Sequence, residues 1–391
     1  MNDQNKFQQG KVITISFAHF VHDIYSSFLA PILPLLIEKF SLSLSFVSFL
    51  SIIQRLPSLL NPLVGYLADK LPIRYVLIAA PALTATMMSL IGVVQSVTML
   101  VVLLVTSGIG VSLFHVPAPV MVKRVAGDKI GKGMSYFMLG GEIARSLGPL
   151  YILGGISLWG LEGTYRLLPL GLLASLLLHF KFKNIPISDD LKQKKKETGA
   201  IEAIKEQSFL FISLGGIIFF TSLVKGSLTT FLPTYMTENG ASLWVGGISL
   251  SIVQFAGAAG TLFSGTISDK IGRKVTLLIM ASTTPLLLFL FVFVSDTFFA
   301  IPLLILIGMI MFATTPVLLA EVNIIKSEHS ALINGIFMTM SFVFSAFSLL
   351  IIGVLGDYLG LKNTYFVTAS LGLLAIPFIV RLPKEKRTPI E

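Results

Sequence analysis

Long apolar runs recur along the whole chain, each followed by a short polar or glycine-rich break. A run of about 17 or more apolar residues is long enough to cross the hydrocarbon of a bilayer as a helix. On that reading the pattern predicts helices over 11–37, 44–67, 73–94, 97–121, 134–156, 163–181, 209–235, 244–267, 274–294, 297–320, 331–356 and 363–381. These fall into two sets of six. Between them lies the one long polar stretch, which carries Lys192, Lys194, Lys195 and Lys196. The expected fold class is all-α membrane protein, with twelve transmembrane helices in two pseudo-symmetric six-helix bundles. The bundles cover residues 1–181 and 208–391, joined by a charged cytoplasmic linker over 182–207.

The pseudo-symmetry rests on a repeat. G-Y-L-A-D-K-L-P-I-R at Gly65 to Arg74 returns as G-T-I-S-D-K-I-G-R-K at Gly265 to Lys274, each copy directly after an apolar run. Gln54 and Gln254, Phe137 and Phe337, Met138 and Met338, and Gly160 and Gly360 keep the same offset. Self-similarity at a fixed period marks duplication. Parallel repeats of this size build a large class of secondary transporters, with the substrate site at the interface of the repeats.

Composition changes the picture in two ways. Hydrophobic residues are 54% and charged residues 13% of the 391, with mean hydropathy +0.85, so lipid is the solvent. The net charge of +9 suggests nucleic acid until the basic residues are sorted by membrane side. Of the 29 Lys and Arg, only Lys39, Arg166 and Lys362 fall in outer loops and Arg55, Arg145 and Lys225 inside helices; the rest lie on inner segments. That is the positive-inside pattern, with both termini cytoplasmic, and nucleic-acid binding is not needed to explain the charge. The first apolar run lacks a small-residue cleavage site and stays as helix 1. With no cysteine there is no disulfide or thiolate metal site, and no metal or cofactor is expected. The nearest approach to a phosphate loop, Gly127 to Gly133, has the wrong spacing, so an ion gradient and not ATP is the expected energy source, with no enzymatic chemistry.

Charges within hydrocarbon cost about 2.5–3.5 kcal/mol or more each, so every intramembrane ionisable residue is a functional candidate. They are His19, His22 and Asp23 on helix 1, Arg55 on helix 2, His115 on helix 4, Glu142 and Arg145 on helix 5, and Lys225 on helix 7. His19 and Asp23 are four apart and Glu142 and Arg145 three apart, so each pair shares a helical face. Asp23 is the first choice for proton coupling, since a buried carboxylate that gains and loses a proton changes the cost of exposing it. Glu142, held ionised by Arg145, and His19 come next. Arg55, Arg145 and Lys225, with Gln54, Gln254 and Tyr25, are the expected substrate contacts, and the excess of cations over clear carboxylates favours an anionic or zwitterionic substrate.

The two decapeptides sit at inner helix ends, where Gly65, Asp69, Lys70 and Arg74, and Gly265, Asp269, Lys270 and Arg273, are expected to act in gating. His22 and His115 are expected to be structural or relay residues, His115 bonding carbonyls freed near Pro117. Glu321 is expected to be solvated. Gly140, Gly141, Gly148, Gly154 and Gly155 make helix 5 smooth enough for close packing. Tyr25, Phe28, Tyr136, Phe231, Tyr235 and Phe255 are weak candidates for lining a cavity.

The duplicated decapeptide resembles the signature loop of the major facilitator superfamily, and the likeness spans both halves and the linker. F-A-H-F-V-H-D at Phe17 to Asp23, N-P-L-V-G-Y-L-A-D-K-L-P at Asn61 to Pro72, F-H-V-P at Phe114 to Pro117 and S-L-G-P at Ser146 to Pro149 look like its fosmidomycin-resistance branch. That resemblance implies proton-driven efflux of small drugs or antimetabolites at the bacterial inner membrane, with His19, Asp23, Gln54, Asp69, Lys70 and His115 carried over. Arg55, Glu142 and Arg145 lie outside the branch pattern. The expected partners are a small-molecule substrate, protons and the lipid bilayer, with the protein a monomer. The same residues would serve an importer of an organic anion, and a receptor that kept the fold would move nothing. Metal transport through His19, His22 and Asp23 ranks last, because three ligands on one helix make a poor shell.

Overall fold

The computed structural model describes residues 6–61, 73–185, 208–323 and 330–382. Its first elements are α1 (Gln9–Ser26), α2 (Leu29–Phe40), α3 (Leu44–Arg55), α4 (Ile73–Ser89), α5 (Val97–His115), α6 (Pro117–Ala126), α7 (Ile130–Trp159) and α8 (Pro169–Phe182). There follow α9 (Ser208–Glu238), α10 (Leu243–Ile271), α11 (Arg273–Val294), α12 (Ala300–Asn323), α13 (Ser330–Gly372) and α14 (Ala375–Arg381).

Among the described residues, nine helical stretches are long and apolar enough to span a bilayer. The departures from twelve have local causes. The helix expected over 44–67 is described only as far as residue 61. Helix α7, with Glu142, Arg145 and many glycines, is not among the nine. The two helices expected at 331–356 and 363–381 run on through α13, whose backbone leaves helical geometry only at Gly360 (φ 74°, ψ 158°), a conformation glycine adopts without a side-chain clash.

Prolines divide two of the expected helices. Pro31 has no N–H to give the Ser27 carbonyl four residues back, and helix 1 becomes α1 and α2 with the break at Ser27 and Phe28. Pro117 does the same after His115, separating α5 from α6 and leaving the imidazole at a helix end. The sixth helix opens with a 3-10 turn, Glu162–Leu167, before α8.

The chain forms two compact units, residues 1–42 with 49–195, and residues 43–48 with 196–391. In the first, α1 packs along α7, α8 and α4. The α1 and α7 backbones approach closely because α7 is bare where they meet: a Cβ on Gly140 would lie 2.6 Å from the Ser16 carbonyl oxygen, and one on Gly148 would lie 1.8 Å from Ser27 Oγ. Between helices in lipid, such contact replaces the hydrophobic drive available in water. In the second unit α9 packs on α13 and α10 on α12. Leu210, Leu214, Ile217 and Ile218 place one face of α9 in a core with Leu277, Met280, Val317 and Phe337. The same unit holds the start of α3, whose Leu44 and Ser45 N–H groups donate to the Asp357 carboxylate at 2.6 and 3.0 Å.

Candidate functional site

Within the first unit, four of the expected intramembrane residues meet at one carboxylate. Asp23 lies on the α1 face turned inward, with His19 one turn earlier, and both are buried. Oδ1 of Asp23 accepts from His115 Nε2 at 3.0 Å. His19 Nε2 lies 3.3 Å from Oδ2, and Arg145 Nη1, from α7, lies 3.6 Å from the same oxygen. The other arm of the Arg145 fork donates to Glu142 Oε1. One guanidinium thus bridges two carboxylates, a task its planar fork suits and an ammonium does not. The aromatic walls are Phe114, stacked 4.5 Å from the His22 ring, and Phe137, stacked 3.9 Å from the His19 ring.

Two expectations change here. His115 does not serve the carbonyls freed near Pro117; its Nε2 reaches across to Asp23, because the proline break ends α5 beside α1. Asp23 has more than the His19 neighbour expected on its own helix, since two imidazoles and a guanidinium converge on it. Arg55 takes no part: among the described residues no ion pair joins it to Asp23 or Glu142, and it is exposed at the end of α3. His22 is fully buried with neither ring nitrogen hydrogen-bonded among the described residues, although it packs edge-on to His115 at 5.5 Å.

The remaining expected residues lie apart from this cluster. Tyr25 is fully buried, its hydroxyl donating to the Leu167 carbonyl and accepting from the Gly171 N–H at 3.2 Å, which makes it a tie between helices. Gln54 Nε2 donates to the Ser26 carbonyl at 3.3 Å. Phe28, Phe231 and Tyr235 are buried packing residues, while Tyr136 and Phe255 are exposed. In the second unit Gln254 is half-buried, and Lys225 Nζ sits 4.6 Å from the centre of the Phe312 ring. Gly65, Asp69 and Lys70 lie outside the described residues. Arg74 stacks on Tyr75, and Gly265 and Lys270 are exposed. Arg273 lies 4.0 Å from both Asp269 and Glu321. Glu321 is therefore a half-buried partner of the second decapeptide and not a solvated bystander.

His19, Asp23 and His115 are also the one grouping of metal-ligand type among the described residues, with ligand atoms within 4.8 Å of one another. The Arg145 guanidinium beside Asp23 opposes a dication there, since a fixed positive charge already occupies the carboxylate's other approach. The arrangement suits the exchange of a proton among imidazole and carboxylate better than metal ligation.

An all-helical chain with repeated membrane spans and a buried ionisable cluster on its first helix is a multi-pass membrane transporter. It belongs to the Major Facilitator Superfamily, whose family model matches residues 15–323. It is 25% identical over 370 residues to the fosmidomycin resistance protein of Escherichia coli (strain K12), covering 93% of this chain and 90% of that one. It is also 30% identical over 188 residues to the multidrug resistance protein MdtG of Proteus mirabilis (strain HI4320), a match over 44% of this chain and 46% of that protein. Among solved structures, a bacterial homologue of the human lysosomal transporter Spinster, in an inward-facing and occupied conformation, superposes with TM-score 0.78. The identity is 14%, with 96% of each chain covered, and this likeness bears on the fold alone.

Proposed function

We propose that this protein is a secondary active transporter that exports a small anionic or amphiphilic organic compound in exchange for protons, by alternating access, in a bacterial inner membrane. The observation that carries the reading is the buried contact of Asp23 with His19, His115 and Arg145. A carboxylate and two imidazoles can take up from zero to three protons between them, and each change in that number alters the charge buried in the membrane. Glu142 shares Arg145 and so senses the charge on Asp23. Similarity to proteins named for fosmidomycin and multidrug resistance supports export and a small organic cargo. Arg55, Lys225, Gln54 and Gln254 are assigned to cargo recognition, and Arg74, Asp269, Arg273 and Glu321, with Gly65, Asp69 and Lys70, to gating.

The test is purified protein in liposomes with a pH-sensitive dye trapped inside and a proton gradient imposed, challenged with fosmidomycin and a panel of small organic anions. Antiport gives cargo-evoked proton movement that is absent in Asp23→Asn. Cargo movement with no proton movement, in folded protein, would replace antiport by facilitated diffusion.

A further inference from the structure

The His19 ring is held in a way that decides where the proton sits. Its Nδ1 lies 2.7 Å from the Phe137 backbone oxygen. A carbonyl only accepts, so Nδ1 carries a hydrogen. The opposite nitrogen, Nε2, lies 3.3 Å from Asp23 Oδ2. In the neutral ring with hydrogen on Nδ1, Nε2 presents a lone pair to a carboxylate, which is repulsive. The contact becomes attractive when one more proton lies between the two atoms. A proton on Oδ2 would discharge the carboxylate beside the Arg145 guanidinium, whose Nη1 forms an ion pair with that oxygen at 3.6 Å. A proton on Nε2 leaves the carboxylate ionised for both Arg145 and His115.

We propose that the coupling proton is carried on His19 Nε2, against Asp23, and that Phe137 and Gly141 of α7 are positioning residues that hold the ring there. This rests on the antiport reading and names the atom that reading left open. Phe137 contributes its carbonyl and a ring stacked 3.9 Å from the imidazole. Gly141, one turn on, supplies room: a Cβ there would lie 2.6 Å from His19 Cε1, 2.9 Å from Nε2 and 3.2 Å from Asp23 Oδ2. Phe114, stacked at 5.8 Å, and His115, edge-on at 5.0 Å, crowd the ring further. The charged and titratable groups packed around it are His22 and Asp23 on α1, His115 on α5, and Glu142 and Arg145 on α7.

When the Nε2–H bond breaks, the electron pair stays on Nε2, the proton leaves the cluster by its partly exposed side at His115, and the neutral ring keeps its Nδ1 hydrogen. The seat does not let the ring turn away from Asp23. The new repulsion is relieved by moving α1 along α7, and the seam between them is lined by small residues at Gly140 and Gly148. Proton loss is thereby converted into a displacement of two helices within one unit.

The experiment is nitrogen NMR on protein with 15N-labelled histidine in lipid nanodiscs, titrated from about pH 5 to about pH 9, the range in which imidazoles usually change charge. Five histidines are present, and His19 is assigned by the signal lost in His19→Gln. The expected result is an Nδ1 that stays protonated throughout and an Nε2 that changes from protonated to bare. In Gly141→Ala, checked for native helix content, that change moves to lower pH by about one unit or more, a tenfold or greater loss of proton affinity. A neutral ring with its hydrogen on Nε2 would overturn the placement, as would an Nε2 unchanged across the range or unaffected by Gly141→Ala. Fosmidomycin-evoked proton movement retained in His19→Gln would overturn the coupling role while leaving antiport standing. Wild-type protein that titrates as expected yet moves no protons would count against antiport and uphold the placement.

Discussion

Replacing Gly148 by alanine tests the close approach of α1 and α7 on which the cluster depends. The added Cβ would lie 1.8 Å from Ser27 Oγ and 2.9 Å from the Ile24 carbonyl oxygen. The hydroxyl can rotate away only by giving up its hydrogen bond to that carbonyl, made at 2.7 Å, a loss of about 0.5–1.5 kcal/mol. The carbonyl is backbone and must be pushed back by moving the helix, and overpacking of this kind costs about 1–3 kcal/mol. Against this, alanine in a helix gains about 0.5–1 kcal/mol over glycine. The expected net effect is a destabilisation of about 1–3 kcal/mol. Gly154, on the same helix with nothing within 4 Å of its would-be Cβ, is the control, and Gly154→Ala should be neutral or stabilising by up to about 1 kcal/mol. Unfolding would be followed by helical circular dichroism in one detergent for both variants, for Ser27→Ala, and for Ser27→Ala with Gly148→Ala. Removing the hydroxyl should recover only the part owed to Ser27 Oγ, a coupling of about 0.5–1.5 kcal/mol, because the Ile24 carbonyl stays in place. Equal stability of Gly148→Ala and Gly154→Ala, or an additive cycle, would refute the reasoning.

Three further outcomes follow from the geometry. Asp23→Asn should abolish cargo-evoked proton flux in liposomes, whereas Glu142→Gln, which leaves the His19 and His115 contacts to Asp23 intact, should retain a measurable part of it; the reverse order would exchange their roles. Asp357→Ala removes the acceptor of the Leu44 and Ser45 N–H groups and should lower stability by about 0.5–2 kcal/mol in thermal unfolding, with Asp357→Asn costing less. Under the export reading, Phe312→Leu, which releases the Lys225 ammonium from its ring, should weaken severalfold the binding of whichever panel anion evokes proton movement, Phe312→Trp should not, and equal affinities in a binding titration would remove Lys225 from cargo recognition.

The helices were legible because a bilayer demands long apolar runs, and nothing else in a chain this hydrophobic competes with that signal. Their internal breaks were legible in principle as well. Pro31 and Pro117 each lack a donor for the residue four back, and reading them as breaks rather than as tolerated prolines separates α1 from α2 and α5 from α6. The pairs within the site were visible only as far as helical period reaches: His19 with Asp23, and Glu142 with Arg145, both of which the structure joins. His115 was assigned a local role because its partner lies 92 residues away, and period says nothing about which helix comes alongside. The seat formed by Phe137 and Gly141 was hidden for another reason. One contributes a backbone oxygen and the other an absence of side chain, and neither has a signature in residue type.

The duplication shows why the chemistry falls in one unit. Two hundred residues after α1 and α7, α9 packs on α13, and each ionisable position of the cluster is replaced there. Where the first unit has His19 and Asp23, the second has Phe219 and the fully buried Leu223. His22 and Arg145 correspond to Ser222 and Ser345, whose hydroxyls meet at 3.0 Å. Gly148 corresponds to Ser348, which donates to the Phe219 carbonyl at 2.9 Å and so ties the helices where the first unit leaves them bare. A hydroxyl bridge has no charge to gain or lose between mildly acidic and mildly basic conditions, and its geometry is indifferent to pH. The α9 and α13 seam is thus a fixed version of the one that, under the antiport reading, answers to protons. A chain duplicated into two such seams needs only one of them to titrate: a second buried carboxylate at Leu223, without imidazole and guanidinium partners, would add the cost of an unpaired charge in the membrane and no coupled movement.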